Sequence, residues 1–259
     1  MKTAICTIMK NGHEYLDEWL TYNFKLGIDN IFIYEDYDSE SHLDICKKYD
    51  GVVLKSIKDI INSDNKDGLR QLKVCNKWIE NYKNQYDWVA FIDLDEFIVI
   101  DNGVNLKDFL NDYNEYTGIF LFWKIFTASG HINNPKTPLL DTYTDVYPLP
   151  LPNFLMNHAY KSFVNLNNVK KMKDHHTVLD GVNVNKKMNN YHILYEKAWI
   201  NHYFTRSWEE WVYRFIKRGH ICNGNRKMNE FFIINKDMQS IESELIFDSL
   251  KKICKKNDK

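Results

Sequence analysis

The sequence lacks the signatures that mark most enzymes acting on small molecules. It has no Gly-x-x-x-x-Gly-Lys phosphate loop, no Gly-x-Gly-x-x-Gly fingerprint and no Gly-x-Ser-x-Gly elbow. Kinase, dehydrogenase and serine-hydrolase chemistries therefore lose their main support. Neither His-Glu-x-x-His nor His-x-Glu occurs among the nine histidines, which removes the usual zinc hydrolases. Cysteine is sparse: Cys6, Cys46, Cys75, Cys222 and Cys254 are far apart and form no Cys-x-x-Cys pair. That pattern predicts free thiols in a reducing compartment and argues against a zinc centre. Net charge is nearly absent, at −1, so no global field recruits nucleic acid or an anionic membrane. No apolar run approaches the ~20 residues of a membrane-spanning helix. No leader is visible either, because Met1-Lys2-Thr3 runs directly into the strand-like Ala4–Ile8. These readings lead to the expectation of a soluble, cytoplasmic protein. Repeats and low-complexity linkers are also missing, so one domain is expected over residues 1–259. It would comprise an α/β half (1–100), a loop-rich half (101–220) and a C-terminal helical segment (221–259).

What is present centres on Asp87-Trp88-Val89-Ala90-Phe91-Ile92-Asp93-Leu94-Asp95-Glu96-Phe97. A buried apolar strand ends in three carboxylates within four positions, and strands of α/β sheets carry ligands at their carboxyl ends. Alternation puts Asp93 and Asp95 on one side of an extended backbone. Two carboxylates converging there repel each other unless a cation lies between them, and hard divalent ions take oxygen ligands of this kind. Acidic residues at strand ends are also common without any function, and a bare Asp-x-Asp is a weak pattern.

Around this stretch the chain alternates between strand and helix patterns. A strand ends near Met9, a helix follows an Asn11/Glu14 capping pattern, and Gly27 stands where a helix would end. Strands at Asn30–Tyr34 and Val52–Leu54 flank a short helix from Leu43. A longer amphipathic helix, Leu69 to Tyr82, leads into the central strand. This β-α-β-α-β order predicts a parallel sheet. Arg70, Gln71 and Lys73 in the first turn of that longer helix are read as a solvated face, or alternatively as a basic group near a nucleotide diphosphate. Beyond the acidic turn the pattern predicts a helix over Leu106–Tyr113 and strands at Gly118–Trp123 and Lys161–Val164. All five prolines fall between Pro135 and Pro152, within a loop expected from Thr127 to Asn157 that resembles a binding loop. Ser207 with Glu210 forms a capping box before a helix carrying Trp208, Trp211, Val212 and Phe215. A last helix is expected from Ser240 to Cys254.

Several stretches, in order, resemble glycosyltransferases of the GT-A fold, in the family 2-like and family 92-like set. They are Cys6–Asn11 with Tyr15–Trp19; Ile33–Glu40; Trp88–Phe97; Trp123–His131; Lys161-Ser162 with His175-His176; and Ile200–Tyr203 with Ser207 and Gly219. The resemblance implies a mostly parallel, Rossmann-like α/β sheet flanked by helices, with a loop-rich acceptor side. It implies a metal-dependent glycosyltransferase, of the hexosyltransferase kind, moving a sugar from a nucleotide-diphosphate donor to a glycan or other hydroxyl acceptor with inversion. UDP is the expected nucleotide and Mn2+ or Mg2+ the expected ion. Under that resemblance Asp95 ligates the metal, Asp93 faces the ribose or the metal shell, and His202 completes the site. Lys10, Asn11, Glu35 and Gln71 would line the nucleotide, and Trp123, Ser129 and His131 the acceptor side. The general base stays open among His176, Asp141, Asp145 and His131. Two rival readings remain: a nucleotidyltransferase, and a catalytically inactive glycan- or nucleotide-binding module on the same fold.

Overall fold

The computed structural model describes residues 1–10, 13–36, 42–61, 70–149, 151, 160–169, 171–172, 197–217 and 230–246. The buried apolar runs found in the sequence become the parallel half of an eight-stranded sheet. These strands are β1 (Thr3–Met9), β2 (Asn30–Glu35), β3 (Val52–Ser56) and β4 (Trp88–Phe91). β2 pairs parallel with both β1 and β3, and β4 pairs parallel with β1 through Thr3 opposite Trp88 and Cys6 opposite Phe91. Every residue of β4 is buried, as a strand covered on both faces requires. The other strands are β5 (Glu96–Ile100), β6 (Gly118–Ile125), β7 (Tyr160–Asn165) and β8 (Ala198–His202). The full order is β3-β2-β1-β4-β7-β6-β8-β5. β7 lies antiparallel to both β4 and β6, and β8 antiparallel to β5. The α/β class is as expected, but its parallel character is confined to the β3-β2-β1-β4 side.

The chain divides into two compact units. The first is Met1–Lys124 with His158–His202, and the second is Ile125–Asn157 with Tyr203–Lys259.

In the first unit, α1 (His13–Leu26) buries Leu16, Trp19 and Leu20. It ends as its sequence dictates. Gly27 adopts φ 109°, its N–H bonds to Phe24 O at 3.1 Å, and the Ile28 N–H bonds to Asn23 O at 3.2 Å. This paired closure satisfies carbonyls that the helix end would otherwise leave bare. Two side chains of α1 also serve β5, the last strand of the sheet. The Trp19 indole N–H donates to Glu96 O at 2.9 Å, and the Tyr22 hydroxyl donates to Ile98 O at 2.7 Å. Carbonyls on an edge strand are thereby occupied from within the molecule. On the other helix layer, α3 (Arg70–Tyr82) packs Val74, Cys75, Trp78 and Ile79 into a cluster with Ala4, Cys6, Phe32, Val89 and Phe91. Trp78 sits at its centre, with ring contacts to Phe32, Tyr82, Tyr86 and Phe91 at 5.3–6.1 Å. The described residues of the unit also include two shorter α-helices, α2 (Leu43–Cys46) and α4 (Leu106–Asn111). Cys6, Cys46 and Cys75 are buried free thiols, as the scattered cysteines suggest; Cys222 and Cys254 lie outside the described residues. Burial raises the Cys46 thiol pKa to about 11 and that of Cys75 to about 12.

The second unit holds α5 (Leu139–Thr142), α6 (Trp208–Lys217) and α7 (Glu230–Ile234). The proline-rich stretch is not a plain loop: it contains α5 and a bridge between Phe126 and Val146. The capping box before α6 is built through a third residue. Ser207 Oγ accepts the Glu210 N–H and donates to its carboxylate, both at 3.2 Å, while the Ser207 N–H donates to Tyr143 Oη at 3.1 Å. The Tyr143 hydroxyl then donates to Glu210 at 2.9 Å, so it relays the bond a capping glutamate normally makes directly. Further N–H groups at the start of α6 reach the carbonyls of His131 and Ile132. α7 and the 3-10 turn Lys236–Ile241 carry no strong period in the sequence and escaped its reading. The expected C-terminal helix is described only over residues 242–246.

Asp29 fastens the start of the first unit. Its carboxylate accepts the Thr3 N–H at 2.8 Å, the Thr3 hydroxyl at 3.0 Å and Lys107 Nζ at 2.8 Å. Partial burial alone would raise its pKa, but the bonds from Lys107 and Thr3 outweigh that and hold it below the ordinary aspartate value. A carboxylate with a depressed folded-state pKa adds stability above its unfolded pKa, and that stability is lost as pH falls through the folded value. Asp29→Asn should therefore lower Tm by roughly 2–6 °C at pH 7. The gap to wild type should close as the pH drops through the acid range below about 4. Thermal melts of both proteins from pH 7 to pH 2.5 check this. A gap that is constant with pH would show that the Asp29 charge is not what holds the strand.

Candidate active site

The acidic stretch is a tight turn that closes on itself. Past β4 the chain reverses, and the Glu96 N–H bonds to Asp93 O at 3.1 Å. The Glu96 side chain folds back so that Oε2 accepts the Asp93 N–H at 2.8 Å, and the residue is fully buried. Glu96 is thus the brace of the turn, and Asp93 and Asp95 remain on its more open side with side chains 35% and 18% exposed. Burial pushes the Glu96 carboxyl well above the glutamate range; Asp93 and Asp95 add to this, and Lys161 opposes it.

Lys161 is the residue that reading the sequence missed. The sequence marks it as a strand residue and as part of a stretch that carries the family resemblance, but gives it no role at the acidic turn, where β7 delivers it by long-range register. Ala90 pairs with Phe163, so Lys161 lies two residues further on, beside the turn. Its ammonium is 2.7 Å from Asp93 Oδ2 and 3.7 Å from Glu96 Oε2, with only 4% of the side chain exposed. Burial works to lower its pKa, yet Asp93 and Glu96 overcome that and hold the ammonium above the ordinary lysine value. Gln71, from the first turn of α3, donates to the other Asp93 oxygen at 3.1 Å. Gln71, Asp93 and Lys161 line a narrow crevice with Cys6, Thr7 and Ile8 of β1. One residue earlier in α3, Arg70 pairs with Asp36 at 3.0 Å. Arg70 and Gln71 thus each engage a carboxylate of the chain itself.

His202 enters from β8, where it is the register partner of Glu96. Its Nε2 lies 3.7 Å from Asp95 Oδ1 and its Nδ1 lies 3.9 Å from Glu96 Oε1. Trp123, expected on the acceptor side, is buried and packs on the imidazole with ring centroids 4.4 Å apart. Its role here is to hold the imidazole in place. Two adjacent octahedral ligands of an ion at about 2.1 Å lie about 3.0 Å apart, so Asp95 and His202 would have to close by some tenths of an ångström to share one ion. Among the described residues no three His, Cys, Asp or Glu side chains are grouped to hold an ion on their own. Mg2+ and its analogues are commonly bound this way, through one or two protein ligands with water and substrate phosphates completing the shell.

The other candidates fall elsewhere. Glu35 is 4% exposed and its Oε1 accepts both the His42 N–H and a 2.7 Å bond with His42 Nδ1, so it faces into the protein and not toward a nucleotide. Lys10 directly follows β1 and is half-buried. Ser129, at φ 47°, accepts the N–H groups of Thr144 and Asp145 at 3.0 Å each, which makes it a staple between two loop segments. The His131 ring meets Tyr143 edge-on at 5.7 Å; Asp141, on α5, and Asp145 are exposed. Ser129, His131, Asp141 and Asp145 belong to the second unit. Asn11 and His176 lie outside the described residues.

The model of glycosyltransferase family 92 matches residues 5–242. A family 92 protein of Ricinus communis is 28% identical over 230 residues, covering 83% of this chain and 37% of the relative. One from Oryza sativa subsp. japonica is 22% identical over 155 residues, covering 54% of this chain and 24% of the relative. The chain thus spans well under half the length of these curated relatives. Among solved structures, mannosyl-3-phosphoglycerate synthase from Rubrobacter xylanophilus aligns with a TM-score of 0.35 at 10% identity, over 52% of this chain and 43% of that one. The mannosyltransferase Ktr4p from S. cerevisiae aligns with a TM-score of 0.31 at 13% identity, over 48% of this chain and 39% of that one. The family pattern runs through the whole sheet, from β1 to beyond α7, and takes in the acidic turn and its histidine: the chain belongs to glycosyltransferase family 92.

Proposed function

We propose that the chain moves a sugar from a nucleotide-diphosphate donor, a UDP-sugar, to a hydroxyl of a glycan acceptor with inversion, using Mn2+ or Mg2+ held by Asp95 and His202. The observation that carries this reading is the 3.7 Å approach of Asp95 Oδ1 and His202 Nε2, beside a turn with three carboxylates and one ammonium. That surplus of negative charge favours a divalent cation. The ion would neutralise the charge that develops on the departing diphosphate. Asp95 and His202 fix where the leaving group sits, and Trp123 keeps the imidazole from swinging away. The nucleotide would lie against the carboxyl ends of the parallel strands, where an α/β sheet receives such ligands. Inversion needs a base that takes the proton from the acceptor hydroxyl while the glycosidic bond forms. His131, Asp141, Asp145 and His176, the candidates the sequence leaves open, are the residues to vary.

A donor panel with Mn2+, scored for nucleotide diphosphate release, tests the activity, and EDTA should abolish it. Asp95→Ala should lower turnover at least ~100-fold with Tm nearly unchanged, since taking one carboxylate from a repelling cluster does not destabilise it. A folded Asp95→Ala variant with wild-type turnover would sink the metal assignment. Release by no donor, together with a melting shift from free glycans and none from any nucleotide, would favour the binding-module reading.

His202→Ala separates ligand from packing residue. As a ligand, its loss should weaken Mn2+ binding measured with UDP present by about 10–100-fold. In the wild type, acid should compete with the ion for the imidazole lone pair and the variant should lose that dependence. A variant that merely melts earlier, with parallel pH dependence of Mn2+ affinity, would make His202 a packing residue.

A further inference from the structure

We infer that a polar cleft at the end of β4 opposite the acidic turn is a second binding site, and that it takes a neutral carbohydrate. The cleft measures about 440 Å³ and is lined by residues 83–87, between α3 and β4, and by residues 166–167, just after β7. All of them belong to the first unit. Asp87 stands six residues before Asp93 along an extended run, so roughly 20 Å of backbone separates the cleft from the candidate active site. The inference is therefore independent of the metal reading above.

The cleft is built on fixed backbone. Buried Tyr86 and Leu166 close its base. The Leu166 N–H donates to Asp87 O at 2.8 Å, which joins the two lining segments directly. Asp87 is tied in turn to the start of the chain: its N–H donates to Lys2 O at 2.8 Å and its Oδ2 accepts the Lys2 N–H at 2.6 Å. Asn165, itself buried, shapes the other wall, since its Oδ1 accepts the Asn167 N–H at 3.1 Å and its Nδ2 donates to Asn114 O at 2.9 Å. On these supports stand three exposed carboxamides, Asn84, Gln85 and Asn167. Among the described residues the Gln85 amide makes a single bond, at 3.5 Å to Asn81 O, and no bond engages the side chains of Asn84 and Asn167. A preformed concavity is thus walled by donors and acceptors that the fold does not use.

The chemistry of the lining selects the ligand. Sites of this size for cofactors and apolar small molecules are walled mostly by hydrophobic and aromatic side chains, whereas here only the base is apolar. Lys83 and Asp87 offset each other, so neither a phosphate nor a metal ion meets a net opposite charge. Lys2 Nζ lies 4.5 Å from the centroid of the Tyr86 ring and covers one of its faces, so stacking on that ring is not the source of affinity. The walls offer amides and one carboxylate, which together donate to and accept from neighbouring hydroxyls. A ligand dense in uncharged hydroxyls, as a sugar ring is, matches that supply.

Saturation-transfer NMR with a panel of neutral mono- and disaccharides of glucose, galactose, mannose and N-acetylglucosamine, each at ~10 mM, tests it. The proteins compared are wild type, Asp95→Ala and Asn84→Ala/Asn167→Ala. Wild type and Asp95→Ala should both bind at least one sugar of the panel, and UDP with Mn2+ should leave that signal in place. Asn84→Ala/Asn167→Ala should bind the same sugar at least ~10-fold more weakly, because the hydrogen bonds of two amides are lost. Its Tm should stay within ~1 °C of wild type, since both side chains are exposed. Binding of no sugar in the panel overturns the inference. Binding that survives in folded Asn84→Ala/Asn167→Ala, or that UDP with Mn2+ displaces, overturns it too and assigns the sugar to the candidate active site. A response to inorganic phosphate equal to that of the sugars, and lost in the same double variant, overturns it by making the cleft an anion site.

Discussion

The arrangement of this molecule depends on one buried ammonium. Three carboxylates within four residues at the end of a covered strand would repel one another, and a charge stripped of water costs several kcal/mol unless it is paired. Lys161 meets that demand by lying between Asp93 and Glu96. It can do so only because β7 runs antiparallel to β4 in a register that carries the side chain past the strand end. The mixed character of the sheet is therefore tied to the chemistry of the turn. A purely parallel sheet would have needed a crossover to place a strand there.

The second constraint is the brace from α1. Trp19 and Tyr22 hold the β5 carbonyls, and Glu96 holds the Asp93 amide, so the turn is fixed at both its ends. His202 then arrives opposite Glu96 on β8 with Trp123 against its ring. Each of the two proposed ion ligands is thus supported by a large apolar or fully buried neighbour. A site meant to hold a reacting group within fractions of an ångström needs this kind of backing.

Much of this was legible in the sequence because its signals are local. The apolar run before Asp93, Gly27 at a helix end and the Ser207/Glu210 spacing each depend on residues a few positions apart, and the structure places them accordingly. What stayed hidden depends on distant partners. Lys161 reads as one strand residue among others until the register is known. Glu35 reads as an open carboxylate until His42 is seen to turn it inward. Ser129 and Trp123 lie in a stretch that resembles an acceptor loop, but two backbone amides claim one hydroxyl and an imidazole claims the other ring. Helices as short as α5 and α7 span hardly more than a turn, too little for a periodic pattern to emerge.

The division into units also carries a kinetic consequence. Neither unit is a continuous piece of chain, since the first resumes at His158 and the second at Tyr203. During synthesis, β5 must wait for β8 and β4 for β7, so the Asp93–Glu96 turn emerges well before its ammonium and its imidazole. Contacts of such sequence separation form slowly, because loop closure must precede any gain from pairing. The half-made sheet leaves an apolar strand and a cluster of uncompensated acids exposed meanwhile. Those repelling carboxylates discourage the open strand from pairing with a neighbouring chain, a kinetic guard supplied by the same residues that later form the site.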